Sequence, residues 1–573
     1  MRHQTKMKES GRGTRRRPLA VLFSTAALSS CFVTGLPSAL ARQTEARTPT
    51  RQQQQPSASQ PAARLDTDAR RTLDAALDAL GGAERLKALA SIVITTKGRE
   101  HRSAEAQGYD PERETDAAHE ELIVVVPAKE KFLYEHKTGR HDGTTRWRRW
   151  SYEGDERTIS DFVARFAGAR RYEGARAERL QRERRVPHLL LLEAARHAAN
   201  LSSLGAVDYE GRRHEVLSFQ LPGEKTSVKL FFDAATRLLT KYEYLMDLPS
   251  YGDTNVEVIY DSYRRHERLG WFPAGDEIRV GGKAYRTVTY TTVEADSPRA
   301  GARFELPEDL QPHLAAPGSV SEVARGVFLV NSLGNLSPMF VEFKDFVLAV
   351  EAPTGYFSLD SVPPDTQPGA SAFSEQFIAK IKETVPGKPI RYLAMTHSHG
   401  NHAGGARAFV AEGVTILTTP GNKKYFERMV AARHTLVPDR LAREPRPLVL
   451  ETFAAKRVIT DGERVVELIN VGANPHTSEN IVVHLPRERI VYQGDLFYFR
   501  GEETFPPKDR ATVMSFFARW LVKSGLAPER IYGAHDRGFA TMAHVRQLLD
   551  LEAAQRGAAS RRRTARHSSR RAT

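Results

Sequence analysis

Three histidines stand within six residues in Thr396-His397-Ser398-His399-Gly400-Asn401-His402. The apolar run Ile390–Met395 precedes them and a helix-forming stretch, Ala403–Glu412, follows, so they fall where a strand ends and a helix begins. Three further segments place ligand-type side chains at strand edges: Gly472-Ala473-Asn474-Pro475-His476-Thr477, Gln493-Gly494-Asp495, and Gly533-Ala534-His535. Loops converge at such edges and commonly carry chemistry. Imidazoles and a carboxylate without thiolate suit Zn2+, and also Fe2+ or Mn2+. The only cysteine, Cys31, lies near the N-terminus, which excludes a disulfide framework and a Cys-based zinc finger. No phosphate-binding G-x-x-x-x-G-K-[ST] occurs, since Gly387-Lys388 is followed by Pro389 and Gly282-Lys283 by Ala284. The remaining histidines read as ordinary polar residues: His434 and His544 within helices, His484 in a strand, His567 in a tail.

Elements must bring these segments together. At about 100–200 residues per domain, 573 residues suggest two to four folded units. Beyond Pro307–Gly318 the rhythm is mixed. Strands are expected at Val327–Val330, Phe340–Phe343, Phe346–Val350, Ile390–Met395, Val414–Leu417, Val465–Ile469, Ile481–Leu485 and Ile490–Tyr492. Helices are expected at Ala372–Glu383, Ala403–Glu412, Lys423–Arg433, Val513–Ser524 and Ala540–Ala554. Before this domain, Leu73, Leu77 and Leu80 lie at helical spacing, and Gly81-Gly82 stops the helix. From Ile92 onward the period becomes two, with strands at Val216–Leu221, Val228–Phe232, Leu238–Tyr244, Val256–Tyr260, Ile278–Val280 and Tyr285–Val293. The stretch 157–205 reads as a mostly helical interruption. The fold class is therefore a C-terminal α/β domain, 318–555, preceded by a β-rich α+β domain, 65–306.

The ordered set HxHxxH, downstream His, Gly-Asp and final His resembles the metallo-β-lactamase superfamily over roughly 318–555. That resemblance implies an αββα sandwich with metal at one edge. It implies that His397, His399 and His476 hold a first cation, that Asp495 bridges, and that His402 and His535 hold a second. Thr396, Gly404 and Gly405 match framing positions. It further implies metal-assisted hydrolysis of a small-molecule substrate through an ester, lactone, thioester or related bond, with Asp495 and position 401 as the catalytic pair. One position departs: this chain has Asn401 where the family usually has Asp. A neutral carboxamide gives a cation less charge and cannot hold a proton as a carboxylate does. One Zn2+ is therefore expected to bind firmly, and a second weakly or not at all.

Two alternatives stay open. A mononuclear iron enzyme resembling persulfide dioxygenases would use His397, His476 and Asp495. A non-catalytic protein would pair a degenerate metal site with an N-terminal domain that binds an apolar ligand. The latter rests on a soft likeness of 65–306 to periplasmic lipoprotein-carrier half-barrels, carried by FFDAATRLLTKYEY and WFPAGDEIRVGG. The competing reading of 65–306 is a plain β domain whose apolar face packs on its own helices. Substrate contact is expected from the loops 354–372 and 497–511, where Tyr356, Phe357, Phe497, Tyr498, Phe499 and Phe505 offer aromatic surface or packing.

The net charge of +14 invites a nucleic-acid reading. Residues 1–41 and 557–573 each carry +6, however, which leaves the body near +2 and argues against a nucleic-acid partner. Residues 1–41 read as an export signal: Arg15-Arg16-Arg17, an apolar run from Leu19 to Leu36, and Ala39-Leu40-Ala41 as cleavage site. The expected location is periplasmic or secreted, with no membrane span after cleavage. Leu28-Ser29-Ser30-Cys31 partly resembles a lipid-anchoring signal. Residues 42–64 form a Gln/Pro/Ala/Ser linker, and 557–573 read as a disordered basic tail.

Overall fold

The computed structural model describes residues 66–570 except 103–114, 140–144, 163–165, 172–174, 221–224, 309, 313–317, 334–335, 355–368, 503–504 and 508–510. The signal and linker readings, and Tyr356 and Phe357, lie outside the described residues.

The N-terminal half is built on one fourteen-stranded sheet. Two antiparallel meanders meet where Ile92–Arg102 pairs with Lys283–Ala295, with Ile92 opposite Ala295. One meander runs outward through Thr115–Val126, Lys131–Gly139, Thr145–Glu153, Glu156–Asp161 and Phe166–Arg171, and the short Gln311–Pro312 pairs parallel with its last strand. The other runs through Gly275–Val280, Gly252–Tyr260, Leu239–Leu248, Ser227–Asp233, Arg212–Gln220 and Ser202–Tyr209. Alternation sets one apolar face: Ile92 and Ile94, Ile123 and Val125, Leu217 and Phe219 all enter a single core. Helices Thr67–Ala79, Ala83–Lys87 and Pro187–Arg196 cover that face, burying Leu73, Leu77, Leu86, Leu190 and Leu191 in the same core. The apolar face thus packs on its own helices, and the apolar-ligand expectation finds no support. The cleft that remains is lined by Arg182, Arg185 and Arg286 as well as by Phe132, Met246 and Val258.

The stretch 157–205 is less helical than expected. Strands Glu156–Asp161 and Phe166–Arg171 occupy its start, followed by helices Ala175–Glu183 and Pro187–Arg196. The first of these strands pairs charges across to a helix, as in the Arg157–Glu178 bridge at 3.0 Å, so its alternation is ionic rather than apolar.

The C-terminal half has a seven-stranded and a five-stranded sheet. The larger contains Val327–Asn331, Met339–Glu342, Val347–Val350, Ile390–Ala394 and Thr415–Thr418; the smaller contains Val465–Asn470, Ile481–Leu485, Ile490–Tyr492 and Arg530–Tyr532. Sheets covered on both faces need strands apolar on both sides, which is what the runs VFLV, VLAV and IVV supply. Phe328, Val330, Val347 and Ala349 face helices Ala372–Thr384 and Ala406–Glu412. Their neighbours Val327, Leu329, Leu348 and Val350 meet Val466, Leu468, Val483 and Tyr492 between the sheets. Val482, Val491 and Ile531 face helix Ala511–Ser524 and the start of the last helix. The layering is helix, sheet, sheet, helix, the expected αββα sandwich.

Two local expectations change. The helix expected over Lys423–Arg433 ends at Ala431, so His434 lies in a buried loop rather than a helix. The last helix runs from Met542 through Arg570, across the stretch from 557 read above as a disordered tail; Ala and Arg favour helix, and 558–570 contain no Gly or Pro. Among the described residues no helix is long and apolar enough to cross a membrane.

Leu468 is fully buried between the two sheets. Leu468→Ala is expected to lower unfolding free energy by about 2–5 kcal/mol, read as a lower urea midpoint with an unchanged slope.

Candidate metal centre

The segment after Ile390–Ala394 leaves the sheet and turns into the short helix Gly400–Ala403, carrying His397, His399 and His402 to the sandwich edge. His476 arrives on a turn that Asn474 shapes: its Oδ1 accepts the backbone N–H of His476 at 2.8 Å and of Thr477 at 2.9 Å. Asp495 follows Gly494, whose φ is +67° and whose Cβ, if present, would lie 2.7 Å from Thr396 Oγ1. Only glycine fits there. Gln493 pins the next turn, with Oε1 accepting the N–H of Leu496 and Phe497 at 2.6 and 2.9 Å. His535 follows Arg530–Tyr532.

These side chains meet. His397, His399 and His476 each offer a ligand atom within 4.8 Å of the others, and His397, His402 and Asp495 form a second such group. Nε2 of His397 and of His476 are 3.3 Å apart. The Asp495 carboxylate lies 3.2 Å from His402 Nε2, 3.4 Å from His476 Nε2 and 3.5 Å from His535 Nε2. The carboxylate thus stands between the two sets of imidazoles. His535 approaches Asp495 but does not join the second group, and His397 joins both.

The residue that sequence reasoning missed is Glu351, at the end of strand Val347–Val350. It is fully buried, with φ at +75°. Its Oε1 accepts the Thr396 hydroxyl at 2.6 Å and lies 3.1 Å from His402 Nδ1. Thr396 Oγ1 in turn lies 2.9 Å from His397 Nδ1. A hydroxyl that donates to Glu351 is free to accept from His397, which puts that ring's proton on Nδ1. The same carboxylate puts the His402 proton on Nδ1. Both rings then turn Nε2 into the centre, the edge from which metal ligation must come. The available signal was an acid directly after a four-residue apolar strand, VLAV-Glu351.

Electrostatics agree with a cation site. Burial and the neighbouring His402, His399 and His476 hold the His397 imidazole well below its usual pKa, so its lone pair is available. Burial also disfavours charge on His402, but the carboxylates of Asp495 and Glu351 outweigh it and pull its pKa up to about 10. Burial alone would raise Asp495; the charges of His402 and His535 and hydrogen bonds from His402 and His476 instead hold it well below the usual carboxylate range. Positive charge is thus disfavoured on His397 and favoured on His402 between its two acids, and an imidazole–carboxylate donor set fits a divalent cation.

Asn401 is half-buried, and its Nδ2 lies 3.3 Å from His535 Nε2. Phe497, Tyr498 and Phe499 are buried in the core beneath the last two helices, and Phe505 packs against it. They serve packing, not an aromatic contact surface. His484 pairs with Glu467 at 2.9 Å and His544 with Glu502 at 3.0 Å, both apart from the centre.

An αββα sandwich with a histidine–carboxylate centre at one edge defines a class of metal-dependent proteins. Residues 368–537 match the profile of the metallo-β-lactamase superfamily, and the C-terminal domain belongs to it. Among solved structures the chain is similar to a metallo-β-lactamase from Pontibacter korlensis, 17% identical over 41% of this chain and 97% of that one, TM-score 0.28. It is similar to the metallo-β-lactamase FIM-1 from Pseudomonas aeruginosa in its mono-zinc form, 19% identical over 41% and 95%, TM-score 0.29. It is also similar to the inverting sec-alkylsulfatase Pisa1 from Pseudomonas sp., 14% identical over 41% and 42%, TM-score 0.29. No curated protein matches the chain.

Glu351→Gln keeps the shape but can place an N–H where Thr396 and His402 need an acceptor. It is expected to weaken Zn2+ binding about 10–100-fold, measured by competition with a chromophoric chelator.

Proposed function

We propose that this protein is an exported metallohydrolase that cleaves an ester, lactone, thioester or related bond of a small molecule. The observation that carries this reading is the convergence of His397, His399 and His476 within 4.8 Å, with Asp495 beside them. A divalent cation, zinc in our reading, would supply Lewis acidity and lower the pKa of water toward neutrality. His397, His399 and His476 would hold it. Asp495, acceptor-only when ionised, would orient water through one oxygen and bias the position of its proton. Glu351 and Thr396 keep the imidazole lone pairs aimed inward. His397 and His402 are fully buried, while His399, His476 and His535 retain slight exposure, so substrate enters on their side. Export rests on residues 1–41 alone.

Asn401 makes the centre asymmetric. With no carboxylate at 401, the His402/His535 side has only Asp495 to offset a second cation. The protein is expected to retain about one Zn2+ per chain after dialysis, measured by elemental analysis; two firmly held ions would contradict this. Asn401→Asp is expected to raise retention of the second ion. A screen of esters and lactones tests the reaction: cleavage should vanish on chelation and return with Zn2+. Oxygen uptake with a persulfide, and no zinc-dependent cleavage, would overturn it in favour of iron chemistry.

A further inference from the structure

The turn between strands Leu239–Leu248 and Gly252–Tyr260 belongs to the N-terminal sheet, yet its tip is buried. Hairpin tips ordinarily lie in solvent. This one is held in a socket of the metal-binding half. Asp253 accepts the N–H of Thr435 at 2.9 Å and of Leu436 at 3.1 Å, and donates its own N–H to the Arg433 carbonyl at 2.7 Å. Asp247 meets His434 Nδ1 at 2.6 Å, both side chains buried. Ser250 and Tyr425 share a hydroxyl hydrogen bond at 2.6 Å, and Arg428 donates to Tyr251 at 3.0 Å. Gly252 has φ +66°, and a Cβ there would lie 2.0 Å from the Arg433 carbonyl oxygen, so the approach requires glycine.

The socket adjoins the histidine turn. A Cβ on Gly404 would lie 2.5 Å from the Gly400 carbonyl oxygen, 2.9 Å from Pro249 Cβ and 3.0 Å from Thr354 Cγ2. Pro249 therefore packs beside the turn two residues after His402, with no room between them for a side chain at 404. That turn is otherwise tied by backbone bonds to its neighbouring loop: Ala352 N–H to the His402 carbonyl at 2.7 Å, and Gly405 N–H to the Ala352 carbonyl at 3.0 Å.

We propose that the 247–253 hairpin tip is a positioning element of the metal centre, with Pro249 and Asp253 its positioning residues, acting through Gly404 on Asn401 and His402. The consequence for metal binding rests on the metallohydrolase reading; the positioning itself does not. The N-terminal half is then part of the scaffold of the centre rather than a separate carrier module.

The full-length protein tests this with two readouts. Hydrogen exchange on chelator-treated protein reports the turn without any metal. Asp253→Ala should raise exchange across 396–405 at least tenfold while leaving the helix from Met542 unchanged, and Asp253→Asn, which keeps an acceptor oxygen, should stay near wild type. Pro249→Ala removes the ring without touching these hydrogen bonds and should give the same direction if Asp253→Ala folds poorly. Titration with Co2+ alone should then show half-saturation shifted at least fivefold upward in the Ala variants but not in Asp253→Asn. Unchanged exchange at 396–405 in both Ala variants overturns the positioning role. Raised exchange in a protein whose wild type gives no cobalt band upholds it and overturns the metal reading instead.

Discussion

One carboxylate oxygen, Glu351 Oε1, receives both the Thr396 hydroxyl and the His402 ring. Crowded imidazoles do not orient themselves. Each can put its proton on either nitrogen, and a ring with its proton facing inward cannot ligate a cation. Glu351 removes that freedom from His402 directly and from His397 through Thr396. Its own left-handed backbone is a cost the sandwich bears to aim the side chain inward from the end of its strand. Gly494 belongs to the same constraint, because any side chain there would collide with the hydroxyl that links Glu351 to His397.

The charge balance follows. Buried histidines in mutual contact repel protonation, which keeps His397 neutral, whereas the two acids around His402 favour positive charge there. One site therefore offers lone pairs and its neighbour offers negative potential. A carboxamide at 401 leaves the second position with geometry but reduced charge, since Asn401 turns its Nδ2 toward His535 instead of presenting an anion.

Much of this was legible in the residues. Apolar runs such as VLAV and IVV announced strands buried on both faces, and the histidine motif lay where strand meets helix because that is where a chain can turn three side chains toward one point. What stayed hidden was relational. Glu351 is one acid among many until folding places it beside Thr396. His434 looked like a helical bystander, and its role depends on Asp247 in the other half of the molecule. Strand Glu156–Asp161 escaped notice because its pattern is written in ion pairs. The aromatics Phe497 to Phe499 could have served contact or packing, and only burial distinguishes the two.

The buried hairpin tip bears on how such a molecule could have been assembled over time. Cut free, the metal-binding half would exchange for water the bonds that Thr435, Leu436 and His434 now make to the sheet, and the sheet would do the same at Asp247 and Asp253. Neither piece is a ready-made building block. Changes on one side of the joint must be answered on the other, so lineages carrying this chain should exchange or lose the two halves together, and Gly252 should vary only when the loop around Arg433 varies with it.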